Sequence, residues 1–126
     1  MSDLAGGWEM RVPTASEVQS WVNTTLLFAI REKISEIIIG PDAAPALADV
    51  RFIFANGERR PGPGLGRGQL EPIIQFLMKL ADLNPENRGK QTGQFSVKAS
   101  GLVHSFGIEV EAENDEDLCA RLKRNP

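Results

Sequence analysis

An amphipathic stretch that runs directly into three consecutive isoleucines limits the folds open to this chain more than any other feature. Thr14-Ala15-Ser16-Glu17 follows Pro13. In that arrangement the Thr14 hydroxyl accepts from the first turn of a helix and the Glu17 carboxylate reaches back to the cap residue. Val18, Trp21, Val22, Leu26, Leu27, Ala29, Ile30 and Ile34 then recur at three- and four-residue steps. The spacing predicts a helix over about 15–33 with one apolar stripe turned to a core. Ile37, Ile38 and Ile39 are stiff at their branched β-carbons and favour a buried strand, which Gly40-Pro41 ends.

The same alternation of periods continues along the chain. Val50, Phe52 and Phe54 alternate with Arg51 and Ile53 as a second strand, and Asn56-Gly57 is a turn signal. Gly57 to Gly68 holds five glycines and two prolines, a composition expected to form a flexible loop. Leu70, Ile73, Ile74, Leu77, Leu80 and Ala81 mark a second amphipathic helix, with Pro72 expected in its first turn and Asn84-Pro85 closing it. Phe95 and Val97, then Phe106, Ile108 and Val110, alternate with polar residues around Ser100-Gly101, as in a hairpin with one wet face. Asp115 to Arg124 suits either a strand, through Leu118, Ala120 and Leu122, or a helix, through its charge order; the period of two favours the strand.

The expected architecture is α+β: a mainly antiparallel sheet with two helices packed against it. Residues 14–126 form the single domain and residues 1–13 an N-terminal arm. At 126 residues, 41% hydrophobic and 25% charged, the chain has the size and balance of one globular domain.

Composition also excludes several classes of function. A net charge of -3 argues against a broad electrostatic grip on nucleic acid, which requires clustered cations. Arg59, Arg60 and Arg67 lie close together in the Gly/Pro-rich stretch and are expected to be solvated loop residues. No Gly-x-x-x-x-Gly-Lys-Ser/Thr string occurs, so the glycines do not make a phosphate loop. Cys119 is the only cysteine and His104 the only histidine, which rules out an internal disulfide and leaves no set of metal ligands. Nothing names a nucleophile, base and orienting group together, so no enzymatic role, cofactor or metal is expected. Glu109, Glu111, Glu113, Asp115, Glu116 and Asp117 read as the wet side of a sheet. The N-terminus carries Asp3 and Glu9 without an apolar run, and no segment is long enough to span a bilayer. A cytoplasmic location without membrane insertion is therefore expected.

Several short strings, in order, resemble the domain that precedes the motor domain in type II secretion and type IV pilus assembly ATPases. Leu26-Leu27-Phe28-Ala29-Ile30 followed by Ser35-Glu36-Ile37-Ile38-Ile39 is similar to that family's helix and Ser-Asp-Ile-His-Ile-Glu strand. Val50-Arg51-Phe52 with Asn56-Gly57 resembles its Val-Arg-Phe-Arg strand and Asp-Gly turn. Leu80-Ala81-Asp82-Leu83, Arg88 and Gln91-Thr92-Gly93-Gln94 resemble its Met-Ala-x-Leu helix end, arginine pair and Pro-Gln-Asp-Gly-Arg string.

The resemblance covers about three-quarters of the chain, from Leu26 to Leu122, and implies a PAS-like fold. It also implies arginines that reach nucleotide held by a motor domain, but Ile53, Gln94, Ile38 and Glu36 replace family residues and leave only Arg51 and Arg88 at matching positions. No phosphate loop or magnesium-binding acid is present, so the family's ATP chemistry is absent from these residues. The resemblance thus describes either a degenerate stand-alone copy or a piece of a longer chain.

The function expected is a protein-interaction module, an accessory, adaptor or regulator of such a machine, whose partner is a secretion or pilus ATPase or a second copy of itself. Trp8, Arg51, Arg59, Arg60 and Arg88 are its candidate contact residues. The alternative is a PAS-like small-molecule sensor, which would need a pocket between helix and sheet.

Overall fold

A computed structural model of the chain describes residues 14–43, 47–87, 89–113 and 117–125. The capping box forms as expected: Glu17 N–H donates to Thr14 Oγ1 at 3.2 Å and Thr14 N–H to Glu17 Oε1 at 2.8 Å. It opens α1 (Ala15–Arg31), which buries Val18, Val22, Thr25, Leu26 and Ala29. Leu27, placed in the apolar stripe by spacing, lies outside it at 47% exposure. The helix ends two residues earlier than its periodicity suggests because Lys33 turns left-handed, with φ 58°, and Ile34 already belongs to β1 (Ile34–Pro41).

β1 pairs antiparallel with β2 (Leu47–Phe54). Asn56-Gly57 makes the turn that follows, with Gly57 at φ 89°. The Gly/Pro stretch is not a free loop: β3 (Arg59–Pro61) and β4 (Leu65–Gly66) both pair with β2. Gly62 N–H donates to the Val50 carbonyl at 2.7 Å, and Leu65 is buried. Backbone hydrogen bonds to β2 overrode a composition that cannot fill a core. Gly62 passes so close to β2 that a β-carbon there would stand 2.6 Å from Val50 Cγ1.

α2 (Arg67–Leu80) buries Leu70, Ile73, Ile74, Leu77 and Met78. It starts three residues before Leu70, with Gly66 N–H held by Gln69 Oε1 at 2.9 Å, so Pro72 falls in the second turn rather than the first and removes one interior hydrogen bond. Asn84-Pro85 does not stop this helix. Asp82 does, left-handed at φ 60°, with Leu83 N–H on the Met78 carbonyl at 2.8 Å and Asp82 N–H on Lys79 at 3.1 Å, the paired bonds of a Schellman end.

β5 (Gln91–Ala99), β6 (Leu102–Glu113) and β7 (Asp117–Arg124) complete the sheet. The spatial order is β3-β2-β1-β7-β6-β5, every pairing is antiparallel, and β7 sits between β1 and β6. The last segment is therefore a strand, and a central one. Phe52, Ile37, Leu122 and Ile108 align across four strands, as do Val50, Ile39, Ala120 and Val110. All eight are buried. α2 lies against β7, β1, β2 and β6, and α1 lies beside it against β1. The chain is thus α+β, with both helices over one face of the sheet. Along the other face, Glu36, Arg51, Arg121 and Glu109 alternate with the core positions, and Arg121 Nε contacts Glu36 Oε2 at 2.7 Å.

Candidate functional site: an aromatic cleft at the β3 edge

One row of α1, Thr24, Thr25, Phe28 and Glu32, faces the aromatic residues Phe52 and Phe54 of β2. β3 and the turn after it, Arg60, Pro61, Gly62 and Pro63, form the third wall. Between them lies a cleft of about 320 Å³, open on one side to solvent. Its floor is aromatic: the Phe28 and Phe52 ring centroids are 5.4 Å apart. Thr25 is the only buried polar residue among those described.

One guanidinium group, Arg60, lines the cleft, and a second, Arg31, lies against one of its rings. Arg60 lies over the Phe54 ring at 5.1 Å and pairs with Glu58 Oε2 at 2.8 Å. Arg31 lies over the Phe28 ring at 5.4 Å and pairs with Glu32 Oε2 at 3.2 Å. A cleft of this kind can receive an apolar or aromatic group, with Arg60 and Glu32 as the charged groups on its walls.

The arginines expected at the contact surface divide between the two faces of the sheet. Arg60 is at the cleft, whereas Arg59 is the preceding residue of the strand and is paired with Ile53, which turns it to the opposite face. Arg51 is on that face too, with Nε 3.1 and 3.2 Å from the two Asp49 oxygens. Arg67 donates from Nη1 to the Leu47 carbonyl at 3.3 Å. Arg60 is therefore parted from Arg51 and Arg59, which share the open face on neighbouring strands. Trp8 and Arg88 lie outside the described residues.

The remaining reactive side chains are also dispersed. His104 Nδ1 is 3.1 Å from Arg124 Nη2, and Arg124 Nη1 donates to the Ile30 carbonyl at the end of α1 at 3.4 Å. Cys119 stands opposite Glu111, seven positions along β6 from His104, a separation of roughly 23 Å at strand rise. A Cys/His pair is excluded by that distance. Among the described residues no group of three His, Cys, Asp or Glu converges, and no helix is long and apolar enough to cross a membrane. On the open face, a hydrogen bond from Lys90 and then its charge hold the Glu109 carboxyl below its ordinary range. The same 2.8 Å contact raises Lys90.

The string Gln91-Thr92-Gly93-Gln94 has a local structural role. Gln91 Nε2 donates to the carbonyls of Asn84 and Asn87 at 2.8 and 3.0 Å, while its Oε1 accepts Asn84 N–H at 3.0 Å. Gly93 lets the end of α2 approach, since a β-carbon there would stand 3.2 Å from the Ala81 carbonyl oxygen. The sequence reading missed the cleft itself. Its signal was available in Phe28, Phe52 and Phe54, but those rings read equally well as core until β3 is known to stop short of covering them. Compared with known proteins, the sequence matches no family model and no curated protein.

Proposed function

We propose that this chain is a non-catalytic protein-interaction module that anchors an apolar side chain of its partner in the aromatic cleft, with Arg60 at the rim. The observation that carries this reading is the open aromatic floor beneath a guanidinium, because interface hot spots combine buried aromatic contact with arginine. In line with the resemblance to pre-motor domains, the partner we propose is a secretion or pilus ATPase, met in the cytoplasm, with the chain as its adaptor or regulator.

An affinity capture from native lysate with wild-type, Arg60→Glu and Phe54→Ala protein tests it. Recovery of such a motor with the wild type and its loss with both variants supports the reading. A motor retained by both variants, or no motor recovered at all, refutes it.

A small-molecule sensor is the second reading, favoured by the position of the cleft between helix and sheet. Its volume of about 320 Å³ lies at the lower end of the ~300–1,000 Å³ typical of ligand pockets. A small molecule that co-purifies with the wild type and is lost from Phe54→Ala protein would favour this reading over the first.

A further inference from the structure

We infer that two copies of this chain associate through β5, extending the sheet antiparallel across a two-fold axis. The two edges of the sheet differ. β3 is three residues long and consists of Arg59, Arg60 and Pro61, the features that keep an edge from pairing. β5 is nine residues long, contains no proline, and has Lys98 as its only charge. Among the described residues it pairs with β6 alone.

The register of β5 shows which of its backbone groups point outward. Ser100 and Gly101 have φ 53° and 77°, a two-residue turn closed by the hydrogen-bonded pair Ala99 and Leu102. Counting back in alternation, Thr92, Gln94, Ser96 and Lys98 present their N–H and C=O groups to the edge. An independent contact agrees: the Ser105 carbonyl, opposite Ser96, turns away from β5 and accepts Asn125 N–H at 2.9 Å.

An antiparallel pair centred on Phe95 satisfies all these groups. Thr92 meets Lys98 of the second copy, and Gln94 meets Ser96. On the helix side, half-buried Val97 falls opposite Gly93 of the second copy, where Leu83 lies over the glycine.

The same register places no like charges directly opposite each other across the axis. Lys98 arrives at Thr92 of the second copy, whose neighbour on β6 is Glu109. At that end Glu109 and Glu111 are interleaved with Lys90 and Arg121, so Lys98 joins a row of mixed charge and the backbone register carries the pairing. The cleft at the β3 edge remains open in such a dimer, so this association is independent of partner binding there.

Sedimentation from micromolar to millimolar concentration, with amide hydrogen exchange at both ends of that range, tests the inference. The expected result is a monomer–dimer equilibrium in which the amides of Thr92, Gln94, Ser96 and Lys98 become protected as concentration rises. Ser96→Pro removes an outward donor without breaking the β5–β6 ladder and is expected to be monomeric throughout the range. A wild type that remains monomeric throughout overturns the inference. So does a dimer whose four amides still exchange freely, or one that Ser96→Pro leaves unchanged.

Discussion

Single residues carry much of the local geometry, and two of them could be replaced with opposite effects. Asp82 ends α2 in a left-handed conformation that costs any residue with a β-carbon. Asp82→Gly is expected to raise stability by about 0.5–1 kcal/mol, measured as an upward shift in urea midpoint at constant m-value. Gly62 allows no such freedom. A β-carbon there would stand 2.6 Å from Val50 and 3.3 Å from Phe52. Gly62→Ala is expected to cost about 1–3 kcal/mol, as overpacking does, and to narrow the cleft.

The Lys90–Glu109 pair gives a pH signature whose sign follows from the two shifts. The Glu109 carboxyl is lowered, so its contribution is present above the ordinary carboxylate value and is lost as pH falls through the folded value. Lys90 is raised, so its contribution is present below the ordinary lysine value and is lost as pH rises through the folded value. Both groups are solvent-exposed, which keeps the effect on stability small. The direct check is a side-chain NMR titration: Lys90→Met should move the Glu109 midpoint upward, and no movement would show that the contact is absent in solution.

Elements were legible where a period and a terminator coincide. The Thr14 and Glu17 cap with the stripe from Val18 to Ala29 specified α1, and Thr14→Ala should cost about 1 kcal/mol by thermal unfolding. The hairpin around Ser100-Gly101 was legible for the same reason, since two successive left-handed residues join strands of matching alternation. Elements held by non-local backbone bonds were not legible. β3 and β4 form because β2 supplies partners to a glycine- and proline-rich segment, and no property of that segment alone announces it. The early start of α2, which leaves Pro72 in the second turn, likewise depends on Gln69 capping Gly66 from within the first turn.

At the scale of the whole molecule, the position of β7 decides how the fold holds together. The last strand of the chain lies in the middle of the sheet, between β1 and β6, and brings Leu118, Ala120 and Leu122 into the core. Truncation before Asp117 should therefore abolish cooperative unfolding in circular dichroism and calorimetry, whereas removal of an edge strand would leave a core. Leu122→Ala, in the row with Ile37 and Ile108, should cost about 2–5 kcal/mol. Local physics in the sequence determined both helical stripes, the period-two strands and the hairpin, because each rests on contacts between residues a few positions apart. Only the tertiary structure decided the strand order, the separation of Arg60 from Arg51 and Arg59, and the opening of an aromatic cleft beside a short edge strand. Those depend on which distant segments share backbone hydrogen bonds, and neither periodicity nor composition encodes that choice.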